Sequence, residues 1–146
     1  MATSFTNNWK NILDKLENVF RTEFGNALPV YTAEVNEKVG SQYLRFDPSG
    51  SELVEYTTNS ETREFSIDIL LYFGDKSESR TKLDAILRLV SRVESLIHDN
   101  MVITLSDTNS TTLANNRLES TVLNFEEDSE FYVVKWDFKG QHTITF

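Results

Sequence analysis

The sequence predicts an α+β domain: a mainly antiparallel sheet with two amphipathic helices packed on one face. Three observations predict it. Two segments carry apolar residues at helical spacing, one near the start of the chain and one past its middle. Several other segments alternate apolar and polar residues with a period of two. The turns between alternating segments are short, which favours antiparallel neighbours. At 146 residues the chain fits a single domain, 1–146, large enough to bury a core without staples.

The first helix lies in FTNNWKNILDKLENVFRTEFG, where Trp9, Ile12, Leu13, Leu16, Val19 and Phe20 recur on one stripe. Thr6, Asn7 or Asn8 caps its start, and Gly25 supplies a left-handed stop. VYTAEV and then YLRF, Tyr43–Phe46, read as strands. Asp47-Pro48-Ser49-Gly50 reads as a turn, because Pro fixes φ and Gly relaxes it. In the polar stretch that follows, Leu53, Val54 and Tyr56 form a strand edge or lie in a loop. The clearest strand covers Glu64 to Phe73. Phe65, Ile67, Ile69, Leu71 and Phe73 share one face, whereas the other face changes from Ser66 and Asp68 to Leu70 and Tyr72.

Gly74 to Ser77 ends that strand, and Ser77 or Ser79 caps a second helix. Its apolar face carries Leu83, Ile86, Leu87, Val90, Val93 and Ile97, widened by Leu89 and Leu96. Met101 to Ser106 reads as a short strand, and the Ser/Thr/Asn-rich Asp107 to Asn116 as a surface loop. The carboxyl end reads as a meander. Val122, Asn124 and Glu126 oppose Thr121, Leu123 and Phe125; then Tyr132, Val134, Trp136 and Phe138 oppose Val133, Lys135 and Asp137. Lys139-Gly140-Gln141 reads as a turn into the closing HTITF.

Little in this chain offers catalytic chemistry. Cys is absent, which excludes disulfides and thiolate catalysis. The two His, His98 and His142, have no Cys or second His nearby to build a metal cluster, and both read as structural or surface residues. There is no phosphate-cradling Gly motif and no nucleophile elbow. The expectation is no enzyme, no cofactor and no metal. Glu126, Glu127, Asp128 and Glu130 lack the spacing and central Gly of a calcium loop and read as a solvated hairpin. The longest apolar runs are too short to span a bilayer, and no basic-then-apolar signal opens the chain. No membrane partner is expected.

The net charge of −9, from 23 acids against 14 bases, repels nucleic-acid phosphates at long range. It fits a solubilising surface, a mimic of DNA, or a surface past which DNA moves without sticking. Asp68, on an otherwise apolar strand, reads as an exposed residue or as the partner of a base across a subunit contact.

Three stretches in this order carry a resemblance: the first helix leading into ALPVYTAEV, the run EFSIDILLYFGDKSESRTKLDAILRLVSRVESLI, and the closing TVLNFEEDSEFYVVKWDFKG. Together they resemble the tail terminator, or tail completion, proteins of long-tailed bacteriophages, over nearly the full chain. The resemblance implies a virion subunit, made in the host cytoplasm, that forms a ring, usually a hexamer. Such a ring caps the tail tube, stops its growth and offers a surface to a neck or head-completion protein. DNA passes through its pore without specific binding. On that reading Asp68, Leu70, Tyr72, Glu126, Glu127, Asp128 and Glu130 are candidate subunit or pore contacts. The alternatives are another neck or tail-tube component, or an acidic protein-binding module that mimics DNA.

Overall fold

Helix α1 spans Asn8–Phe24 in the computed structural model, which describes residues 7–25, 28–31, 42–73, 80–105, 111–124 and 132–145. Asn7 is its cap: the side-chain oxygen accepts the Lys10 N–H at 3.1 Å. Gly25 ends it at φ +60°, where its N–H returns to the Arg21 carbonyl. Helix α2 spans Arg80–Asp99; its predicted caps, Ser77 and Ser79, lie outside the described residues.

Among the described residues six strands form one sheet: β1 (Val30–Tyr31), β2 (Gln42–Tyr56), β3 (Ser60–Phe73), β4 (Ile103–Thr104), β5 (Thr112–Asn124) and β6 (Tyr132–Thr145). The order is β1-β2-β3-β6-β5-β4, antiparallel throughout except for the short parallel β1–β2 pair. The fold is α+β, as the periodicities predict. β3 and β6 form the centre and pair from Ser60–Thr145 to Phe73–Tyr132.

Both helices cover one face. From α1, Ile12, Leu16, Phe20 and Phe24 are buried; from α2, Ile86, Val90, Val93 and Ile97. They meet Phe46, Ile67, Ile69, Leu71, Trp136 and Phe138, all fully buried. Trp9 sets its ring edge-on to Phe65 at 4.7 Å and Phe20 to Phe46 at 5.1 Å, which seats α1 over β2 and β3. Arg92 of α2 clamps the end of α1: it donates to the Glu23 side chain (2.8 Å) and carbonyl (3.0 Å), above the Phe24 ring. Each such buried apolar side chain contributes about 1.5–3 kcal/mol. Leu83 and Leu87, expected on the covered stripe, are exposed instead, because the buried row of α2 runs through Ile86, Val90, Val93 and Ile97.

Several turns predicted from local composition fall elsewhere. Asp47–Gly50 is no hairpin turn. The chain stays in β2 and absorbs Pro48 and Gly50 in a bulge opposite Ile67 and Ser66. Pro is tolerated at this bulge on the outer side of β2, where among the described residues β1 pairs only with Leu44 and Arg45. The chain reverses at Thr57–Ser60, where the Thr57 hydroxyl accepts the N–H groups of Asn59 (3.2 Å) and Ser60 (3.0 Å). Leu53, Val54 and Tyr56 are therefore strand residues. Met101 and Val102 precede the two-residue β4 and are exposed.

The predicted loop at Asp107–Asn116 is strand from Thr112 onward. Asn115, at φ +55°, forms a bulge that turns Asn116 inward. The Asn116 amide donates to the carbonyls of Asn100 (2.9 Å) and Leu113 (3.0 Å), and its backbone N–H to that of Met101 (3.0 Å). This buried side chain ties the end of α2 to the sheet. Gly140 likewise makes no turn; β6 runs straight through it. A Cβ there would lie 2.9 Å from Leu113 Cγ and closer still to Asn116, so Gly is required by packing. His142, read as near that turn, lies buried inside β6; its Nε2 is 2.8 Å from the Thr111 hydroxyl.

Candidate interaction surface

The face of the sheet turned away from the helices is built in rows, because residues in register across neighbouring strands point the same way. One row runs Tyr43, Tyr72, Val133, Asn124. The next runs Arg45, Leu70, Lys135, Val122, and a third Asp47, Asp68, Asp137, Ser120. The predicted contacts Asp68, Leu70 and Tyr72 thus stand in three successive rows of one surface. Glu126, Glu127, Asp128 and Glu130 lie outside the described residues.

Three aspartates side by side repel one another, and the flanking rows supply the compensation. Arg45 donates to Asp47 through Nε at 3.0 Å and Nη2 at 2.8 Å. Lys135 Nζ lies 3.6 Å from Asp68 Oδ2. The resulting shallow cleft of about 350 Å³ is lined by Ser66, Asp68, Ser120, Lys135, Asp137 and Lys139, among others. Further along, Arg117 bridges Glu64 (2.9 Å) and Glu119 (2.7 Å), and Gln141 donates to Glu64 at 3.3 Å. The Arg117 hydrogen bond holds the Glu64 carboxyl below its ordinary pKa against an opposing effect of burial, with help from Gln141. The centre of this face is therefore charge-balanced, although the chain as a whole is acidic. Among the described residues no group of three or more His, Asp or Glu is placed to hold a metal ion.

The dry end of β3 acquires its cover from the chain itself. Tyr72 stacks on Tyr43 at 4.8 Å, Tyr31 meets Tyr43 edge-on at 5.9 Å, and the Arg45 guanidinium lies 5.4 Å from the Tyr72 ring centre. Tyr43 is buried in this stack, and burial raises its phenol pKa. Tyr31, Tyr43 and Arg45 were not singled out by motif. The alternation in YLRF puts Tyr43 and Arg45 on the face opposite Leu44 and Phe46, which is the signal they leave in the sequence. Tyr and Arg in such a cluster are residues typical of interface hot spots.

No family model matches the chain, and no curated protein matches it. Among solved structures the chain is similar to a chain of the "Virion of native gene transfer agent (GTA) particle", with a TM-score of 0.54 at 16% identity. The match covers 92% of this chain and 93% of that one, so the shared fold extends over essentially the whole length of both. Among the described residues no helix is long and apolar enough to cross a membrane.

Proposed function

We propose that this chain is a non-enzymatic structural subunit of a phage-like virion, and within it the ring at the end of the tail tube. On this reading a homo-oligomer, a hexamer, stops tube growth. It meets the tail tube protein on one side and a neck or head-completion protein on the other, and DNA passes through its pore. The observation that carries the reading is the end-to-end likeness in fold to a gene transfer agent virion chain. It agrees with the order of motifs that resembles tail terminators.

Another neck or tube component is the nearest alternative, separated by its product: a tube subunit builds long rods, a terminator stops at a ring. A DNA-mimicking module is disfavoured by the open sheet face, where Arg45, Arg117, Lys135 and Lys139 interleave with Asp47, Glu64, Asp68 and Asp137. A phosphate mimic needs one sign of charge on its working face. The deciding experiment is electron microscopy of particles made without this protein. Tails of uncontrolled length that fail to join heads are expected; normal tails joined to heads would refute the reading.

A further inference from the structure

Among the described residues the sheet has two edges that no strand flanks over most of their length. Among the described residues β2 is paired on its outer side by β1 only at Leu44 and Arg45, and β5 by β4 only at Thr112 and Leu113. Beyond those pairs, no strand among the described residues flanks β2 to Tyr56 or β5 to Asn124. Ser51–Tyr56 and Glu119–Asn124 are exposed residue after residue. Each carries large apolar side chains: Leu53 at 48%, Val54 at 51% and Tyr56 at 65% exposure, and Val122 at 54% and Leu123 at 46%.

Free edges template pairing with another chain, and proteins ordinarily blunt them with charge, Pro or bulges. Residues 120–124 of β5 carry none of these. They read Ser-Thr-Val-Leu-Asn and pair with β6 without a register shift. The β2 edge differs in carrying Glu52 and Glu55 and a register shift between Leu53 and Glu55. Two β2 edges brought together would oppose these carboxylates, whereas the uncharged β5 edge accepts them.

The two edges occupy diagonally opposite corners of the sheet. Thr121–Asn124 lies beside Val133–Trp136 of β6, whereas Ser51–Tyr56 lies beside Glu61–Phe65 of β3, whose β6 neighbours are Gly140–Ile144. One contact that covers both corners is head-to-tail, and head-to-tail contacts that close make rings. We propose that the β5 edge Ser120–Asn124 of one copy pairs with the β2 edge Ser51–Tyr56 of the next copy. This rests on the ring reading above and names the surfaces that close the ring. Within one sheet β2 and β5 run in opposite directions, so a neighbour that continues the sheet presents β2 antiparallel to β5. The diagonal placement staggers successive copies along the strands, and stagger with tilt is what a closed sheet requires.

The absence of Cys makes the test clean. Leu53→Cys and Val54→Cys mark one edge; Val122→Cys and Leu123→Cys mark the other. All four sites are exposed, so melting temperatures should match the parent. The variants are treated with a short thiol cross-linker at a concentration where light scattering shows the parent assembled, alone or on tail tubes. A β2 variant mixed with a β5 variant should link, and each variant alone should not. Val122→Lys should raise the concentration needed for assembly about tenfold without lowering the melting temperature. Self-linking of one variant, or assembled rings with no mixed link, overturns the edge pairing and leaves the ring reading standing. A parent that never assembles, alone or on tubes, overturns both.

Discussion

The two faces of this sheet share the same strands but are held by different forces. Under the helices, Ile67, Ile69, Leu71, Trp136 and Phe138 are fully buried and interlock with α1 and α2. On the open face the same strands present Asp68, Lys135 and Asp137, which are stabilised mainly by their neighbours' charges. Apolar burial contributes kilocalories per side chain, and partly exposed ion pairs contribute about 0–1 kcal/mol. The covered face therefore sets stability. The open face and the strand edges are freer to serve contacts with other molecules, because substitutions there cost the fold little.

The comparison predicts a hierarchy of mutational effects. Trp136→Ala on the covered face should cost about 3–5 kcal/mol in urea unfolding. A loss no larger than that of an open-face substitution would break the distinction. Trp136 also has a buried indole N–H without a hydrogen-bond partner among the described residues. Trp136→Phe should accordingly cost much less than Trp136→Ala, because it removes an unsatisfied donor with the lost volume. Gly140→Ala should cost about 1–3 kcal/mol by forcing Leu113 and Asn116 apart. Thermal unfolding would measure it, and a neutral result would show that β5 yields there.

The smallest effect belongs to the open face. Glu64 is held below its ordinary pKa by Arg117, so its pair contributes stability above the carboxylate's unfolded pKa. That contribution fades as the pH falls through the lower folded value. Glu64→Gln should remove this part of the acid sensitivity and leave stability at pH 7 lower by about 1 kcal/mol or less. An unchanged acid-unfolding curve would show that the Arg117–Glu64 bridge is energetically silent.

Much of the covered face was legible in the sequence. Helical spacing at Ile12, Leu16 and Phe20, and alternation at Ile67, Ile69 and Leu71, are repeats within a few residues, and burial follows them. Gly25 likewise announces the end of α1 by its own chemistry, and Asn7 is one of three neighbouring residues able to cap its start. Of the candidate contacts, Asp68, Leu70 and Tyr72 fall on one open face because their alternation with the buried row is also local. Their surroundings were less legible: the Tyr31–Tyr43–Tyr72 stack joins three strands, and no local pattern records which tyrosines meet.

The sequence by itself determined the two helices and the apolar faces of β3 and of β6 as far as Phe138, since those depend on periodicity along the chain. The tertiary structure alone decided what Pro48, Gly140 and Asn116 do. Pro48 sits in a bulge of β2 that β1 does not reach among the described residues, Gly140 in a strand because Leu113 and Asn116 fill the space of a side chain, and Asn116 points inward because Asn100, just past α2, supplies a carbonyl for its amide. It also left Ser51–Glu55 and Glu119–Asn124 exposed, with no strand beside them among the described residues. In each case the deciding partner is remote in the sequence or absent from the strand's flank, and residue type at one position carries no record of either.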